Sequence, residues 1–369
     1  MLNRRNTAPP TAGRRTQMRA RRRAASRTLA AAGAVVVSGA VVAACGSSHK
    51  TSSPPPGSSP TTTSSTTTPT PTTVNYRRQT FAPPATLWHK SIFDQADVGN
   101  WSLLSASREF ASDIVSDYTH DYGSVGVNSL PIYRVPARQP GVAISVLKGC
   151  NNFLPDTGTE IPIPANVTLI GSGDNPLIVY QPSTDTDWEL WQATKNANGT
   201  YSACWGGKLD MADSTGVFPY PYGMSATGIS YLATAITEAD VASGHIDHAI
   251  AIQIPRCNEY VYPADRHDCG SEPGQPAEGQ WFRLPPNLPM PGGMNPFAQM
   301  VFTALQKYGA VVTDYAGAVM IEAEQPSDWA EEGGKGTDPI TASWEGQPEY
   351  KVVAGLPWSS LQAVNPPQG

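Results

Sequence analysis

Gly244-His245-Ile246-Asp247-His248-Ala249-Ile250-Ala251-Ile252-Gln253-Ile254-Pro255 is the stretch that decides the fold. Read at the two-residue period of a strand, it sets Ile246, His248, Ile250, Ile252 and Ile254 on one face and His245, Asp247, Ala249, Ala251 and Gln253 on the other. The first face is a core wall. The second is small and polar, and suits a central strand whose other side looks into a groove or a second layer.

The rest of the chain repeats this pattern of short apolar runs. With 35 prolines and 33 glycines in 369 residues, many turns and few long helices are expected. Residues 100–115 read as a first helix, with Leu103, Ser107, Phe110 and Ile114 on one stripe and Asn100 or Ser102 as cap. Strand-like runs follow at 130–135, 142–147, 167–170, 177–181, 188–193 and 201–205. The last two are joined by Lys195-Asn196-Ala197-Asn198-Gly199, where Asn198-Gly199 offers the positive φ angles of a tight hairpin. Residues 205–231 read as a long loop. Thr237-Glu238-Ala239-Asp240 starts a short capped helix ending at Gly244, and 259–262 and 280–284 add two strands. Asn295-Pro296 opens the clearest helix, with Phe297, Val301, Ala304, Leu305 and Tyr308 as its apolar stripe and Gly309 as its stop. Runs 310–313 and 318–323 read as another hairpin, and the tail beyond Gln325 as surface chain. The elements predict an all-β dominated fold, an antiparallel β-sandwich of jelly-roll type with two or so peripheral helices. Residues 76–369 make it a single domain.

The N-terminus reads as an address. The first 44 residues hold nine arginines and no acidic residue, and an apolar run from Thr28 to Ala44 is too short and alanine-rich for a membrane span. Residues 1–44 are therefore expected to be a signal peptide. The run ends in Val41-Val42-Ala43-Ala44-Cys45, which resembles the bacterial lipobox. That resemblance implies cleavage before Cys45 and a diacylglycerol on its sulfur, so the partner at this end would be the membrane. Arg21-Arg22-Arg23 leaves twin-arginine export open beside the general route. Residues 45–75, rich in serine, threonine and proline, cannot bury a core; they read as a disordered tether reaching on the order of 30 Å.

Charge and cysteines narrow the function. Without the nine leader arginines, 16 basic residues face 31 acidic ones, a net charge near −15. Nucleic acid is excluded as a partner, because nothing remains to neutralise phosphates. Four cysteines remain beyond Cys45, an even number that reads as two disulfides in an exported chain. Of the three pairings, Cys257 with Cys269 is favoured by the short polar loop between them, leaving Cys150 with Cys204. Their spacing fits no zinc ribbon. No Gly-x-Ser-x-Gly and no phosphate loop occurs; Gly171-Ser172-Gly173 is a plain turn. No nucleotide, metal or other cofactor is called for.

The remaining candidates are polar residues near aromatics. On strand 187–193, Asp187, Glu189 and Trp191 share a face, and Tyr201, Ala203 and Trp205 share one on the partner strand. A carboxylate beside tryptophans suits sugar, since aromatic faces stack on sugar rings while carboxylates bind hydroxyls or move protons. The bland alternative is one core tryptophan and a solvated glutamate. His245 and Asp247 would serve as a base and its orienting partner. His248, among isoleucines, reads as a core histidine. Asp210 and Asp213 lie in the long loop beside Tyr220 and Tyr222, at a spacing that fits no calcium loop. Glu322 and Glu324 read as an exposed acidic pair.

One series of segments resembles a set of exported actinobacterial proteins. It comprises Trp188-Glu189-Leu190-Trp191-Gln192-Ala193, Ser225-Ala226-Thr227-Gly228-Ile229-Ser230-Tyr231-Leu232, Ile246-Asp247-His248-Ala249-Ile250, Tyr262-Pro263-Ala264, and Ala304-Leu305-Gln306-Lys307-Tyr308-Gly309 before Asp314 and Gly317. Near the cysteine loop, Asp265-Arg266-His267 matches the set with one extra residue. The resemblance covers about residues 92–324 and implies a β-rich architecture and an envelope location, but no activity. Three functions remain in view. The first is binding of cell-wall polysaccharide through Trp191, Trp205, Tyr220 and Tyr222. The second is a carbohydrate-active enzyme using Glu189 and Asp210, or His245 and Asp247. The third is a structural partner of envelope proteins.

Overall fold

The structure, a computed structural model, describes residues 91–366 apart from 106, 118–125, 151–159, 172, 271–272, 327–328 and 330–333. The expected signal peptide, Cys45 and the tether lie outside the described residues. Among those described, no helix is long and apolar enough to cross a membrane.

The chain is β-rich. Among the described residues fourteen strands form three sheets, accompanied by four α-helices. Sheet A has the order β1 (Gly126–Leu130), β13 (Met320–Glu324), β10 (Ile250–Ile254), β12 (Ala310–Tyr315), β11 (Trp281–Arg283), β14 (Gln362–Val364). Sheet B runs β2 (Ile132–Arg134), β5 (Leu177–Gln181), β6 (Thr186–Trp191), β9 (Trp205–Asp210), and sheet C runs β4 (Glu160–Ile161), β3 (Val142–Val146), β8 (Tyr201–Ala203), β7 (Thr194–Lys195). Most pairings are antiparallel; β1 with β13, β10 with β12, β2 with β5 and β3 with β8 are parallel. A jelly roll folds eight strands into two antiparallel sheets. Three sheets with four parallel pairs do not establish that wiring.

The two-residue period explains the layers. On β10, Ile250, Ile252 and Ile254 enter a core shared with Phe297, Val301 and Leu305 of helix α3 (Pro296–Lys307). Ala249 and Ala251 enter a second core with Trp281 and Val311 of sheet A and Ile178 and Tyr180 of sheet B. The opposite face of sheet B, through Val179, Trp188 and Leu190, meets Tyr201 and Ala203 of sheet C. The order is therefore helix layer, sheet A, sheet B, sheet C, and the small face of β10 meets a second layer rather than a groove. Alanine suits that face because Trp281 fills the space beside it, stacked on Phe93 at 5.7 Å and edge-on to Trp101 at 5.0 Å.

Local signals form as the residues dictate. Helix α2 (Glu238–Ser243) starts in a capping box of Thr237 with Asp240 and ends on Gly244 at φ 82°. Helix α3 starts with Asn295 accepting the Ala298 N–H and has proline at its beginning. Helix α1 (Ser107–Asp117) begins later than expected and buries Ile114. The hairpin forms between β7 and β8, closed by Asn196 N–H to the Thr200 carbonyl at 2.8 Å. Of Asn198 and Gly199 only the glycine has a positive φ; Asn198 instead accepts from the Thr200 N–H and hydroxyl.

Five expectations change. β6 ends at Trp191 because Gln192 turns the chain at φ 56° from sheet B into sheet C. β12 and β13 are not a hairpin, since β10 lies between them. The first part of the expected long loop is β9, where Gly207 leaves room for the Phe218 ring. The tail is core rather than surface chain: Trp344, Val352, Val353, Leu356 and Trp358 are buried with α3, next to helix α4 (Pro339–Ser343), and β14 closes an edge of sheet A. The expected strand at 167–170 has no ladder.

Both disulfides are present, Cys257–Cys269 and Cys150–Cys204.

Candidate functional site

The structure scatters the residues that the sequence singled out. Glu189 and Asp187 point from β6 into the layer between sheets A and B and are wholly buried. Glu189 Oε1 accepts the N–H groups of Tyr231 at 2.6 Å and Leu232 at 3.1 Å. Asp187 Oδ2 accepts the Ser230 hydroxyl at 2.9 Å. Burial pushes the Glu189 carboxyl up to about 7, against the pull of its backbone donors. It pushes Asp187 well above the carboxylate range, with Glu189 beside it adding to the effect. An enclosed carboxylate cannot meet a polymer, so Glu189 is not part of a sugar groove.

Asp210 does not join it. It lies at the exposed end of β9, opposite Thr186, and accepts the Ala212 N–H at 3.2 Å. Trp191 and Trp205 face one another across the β6–β9 ladder, but both are engaged in packing. The Trp191 indole donates to Asp174 at 2.9 Å and the Trp205 indole to the Pro221 carbonyl at 2.9 Å. Trp205 does not share a face with Tyr201 and Ala203, which belong to the sheet B–sheet C core.

His245 and Asp247 precede β10 instead of lying on it. They pair at 2.7 Å on the surface, with Tyr308 donating to Asp247 at 3.2 Å. His248 is not among isoleucines: its Nε2 faces Asp240 at 3.2 Å and its Nδ1 the Ala249 carbonyl at 2.9 Å. Glu322 and Glu324 are buried, not exposed. Glu324 accepts a two-pronged contact from Arg134 and the N–H of Glu238 at 2.8 Å.

Polar and aromatic groups do converge at the C-terminal ends of β10 and β12. Arg266 is the hub. Its guanidinium donates to the carbonyls of Tyr222, Gly223 and Ser225 and to Asp265 at 3.0 Å. Asp265 N–H in turn donates to the Thr227 carbonyl at 3.1 Å. Gly228 allows this approach, because a Cβ there would collide with Arg266 and Asp265. Asp314, at the end of β12, accepts the Ala226 N–H and the Tyr231 hydroxyl, each at 3.2 Å, and Gln253 donates to that hydroxyl. Two loops and two strand ends are thereby held in one arrangement.

Tyrosines stand on these loops. Tyr220, Tyr260, Tyr262 and Tyr315 are 71, 45, 48 and 39% exposed. The Tyr260 ring stacks on His267 at 5.4 Å, and His267 faces Glu259 at 3.6 Å. Tyr220 is close enough to Arg266 to influence its charge. Beneath them, carboxylate oxygens of Asp268, Glu278 and Asp314 lie within 4.8 Å of one another. Burial raises the Glu278 carboxyl well above its ordinary range, and Asp268 and Asp314 add to the effect. Oxygens at that spacing have the chemistry of a hard-cation shell, and Glu278 Oε2 accepts the Asp268 N–H at 3.4 Å. Cys257 and Cys269 beside Glu278 are closed to metal by their disulfide.

Of this face, sequence reasoning reached Tyr220 and Tyr222 as ligand residues and quoted Arg266, Asp314 and Tyr262 only within the resembling segments, without a role, and it missed Glu278, Tyr260 and Tyr315. The available signal was the repeated Tyr-Pro dipeptide, Tyr220-Pro221 and Tyr262-Pro263, both with cis peptide bonds here. Comparison with protein-family models, with curated proteins and with solved structures finds no match to this chain.

Proposed function

We propose that this chain is a lipid-anchored protein of the bacterial cell envelope that binds neutral cell-wall polysaccharide through the Arg266 face. The observation that carries the reading is the set of exposed tyrosines on loops fixed by Arg266. Ring faces held in place stack on the apolar faces of sugars, and fixed carboxylates and carbonyls accept from hydroxyls. Acidic groups around the face and a net charge near −15 beyond residue 44 favour uncharged glycans over anionic ones. The lipobox-like sequence before Cys45 and the tether supply the address: a membrane anchor, with the β-rich part held toward the wall. In this reading the binding tyrosines replace the Trp191 and Trp205 pair.

A second reading is an enzyme acting on the same glycan, favoured by the closeness of Asp268, Glu278 and Asp314, of which Asp268 is partly open to the surface while Glu278 is as enclosed as Glu189. One incubation separates the two. The protein is mixed with purified wall polysaccharides, and both co-sedimentation and new reducing ends are followed. Co-sedimentation without release, lost in Tyr260→Ala, supports binding. Release abolished in Asp268→Asn makes it an enzyme. Neither signal refutes both.

A further inference from the structure

We infer that Asp187 and Glu189 share one proton and act as a pH-sensitive clamp on the loop that builds the Arg266 face. The two side chains are neighbours on one face of β6 and wholly buried. Asp187 Oδ1 and Glu189 Oε2 meet no other donor, while their other oxygens are taken by Ser230, Tyr231 and Leu232. A single proton between the carboxyls satisfies both open oxygens; two adjacent charges without water would satisfy neither. The pair holds the loop at three consecutive residues. Five residues earlier that loop supplies the Ser225 carbonyl to Arg266, and next to it the Ala226 N–H to Asp314.

The surroundings do not relieve the second charge. Just before β6, Asp185 faces the pair, bonded to Tyr180 of β5 and influenced by Asp210 of β9. From the loop comes Tyr231, which Asp314 of β12 and Glu322 of β13 influence from sheet A. Arg134 of β2 is committed to Glu324. Opening the loop lets water reach the carboxyls and returns them to the ordinary carboxylate range. The closed state therefore holds more protons than the open one from pH 4.5 up to about 7, and the clamp weakens as pH rises across that window.

The test is amide hydrogen exchange of Tyr231 and Leu232 in the intact protein, corrected for the intrinsic rate. The expected result is protection falling about tenfold per pH unit between pH 5 and 7, the slope of one linked proton. In Asp187→Asn or Glu189→Gln, where an amide N–H takes the proton's place, protection should be flat. A flat profile in the wild type overturns the clamp. Should both variants fail to fold, infrared spectra of the wild type decide. A protonated-carboxyl band that fades over the same window supports the inference, and its absence overturns it. The link from clamp to ligand rests on the proposed function, but exchange needs no ligand. A failure of glycan binding with the expected exchange profile would sink that function and leave the clamp standing.

Discussion

Glu189 and Tyr231, 42 residues apart, are joined at 2.6 Å through a side-chain carboxylate and a backbone N–H. The bond ties sheet B to the loop that carries Ser230, Tyr231 and Leu232, all of them buried. Glu189→Ala would strand two buried N–H groups, each costing about 1–3 kcal/mol. Denaturant unfolding should show a loss of about 3–5 kcal/mol, whereas a solvated strand glutamate would cost almost nothing.

His248 and Asp240 form a largely buried pair linking the start of β10 to helix α2. Burial opposes both charges, but each stabilises the other: Asp240 is lowered from 3.8 and His248, also bonded to the Ala249 carbonyl and near Asp94, is raised from 6.5. The histidine's contribution is full below its unfolded pKa near 6.5 and is lost as pH rises through the folded value. The aspartate's is full above 3.8 and is lost as pH falls through the lowered value. Stability measured against pH should therefore carry a descending limb above 6.5 that His248→Gln removes.

The two disulfides close loops of 54 and 12 residues. In the chain-entropy account, removing Cys150–Cys204 costs about 4 kcal/mol and removing Cys257–Cys269 about 3 kcal/mol. Thermal unfolding of the paired Cys→Ala variants should rank them in that order. Only the second pair borders the Arg266 face, so only its loss should also weaken ligand retention.

Gly279 sits at φ 83° beside the chain that carries Tyr260 and Tyr262, and a Cβ there would fall on the Val261 carbonyl. Gly279→Ala combines left-handed strain with a backbone collision, at about 2–4 kcal/mol. A melting temperature unchanged from wild type would show that the segment is not seated as described.

Local chemistry was legible in the residues. Thr237, Asp240 and Gly244 announce a helix start and stop because their hydrogen bonds close within a few residues. Asn295-Pro296 and the Asn196–Gly199 turn are legible for the same reason. The alternation along β10 sorted isoleucines from alanines correctly, yet alternation names faces and not partners. Nothing local says that β10 separates β12 from β13, or that Trp344 to Trp358 return to the core. The same limit hid the site. Glu189 looks like any strand glutamate until Ser230, Tyr231 and Leu232 enclose it, and Arg266 gains meaning only from carbonyls some 40 residues away.

Affinity for neutral wall polysaccharide, measured by co-sedimentation for wild type, the Tyr260→Ala/Tyr262→Ala double variant and Trp191→Phe, tests the central claim most directly. Losing two stacking rings, each worth about 0.5–1.5 kcal/mol, should weaken binding about tenfold, and Trp191→Phe should leave it unchanged. Binding that survives the double variant and falls with Trp191 would contradict the assignment of the Arg266 face.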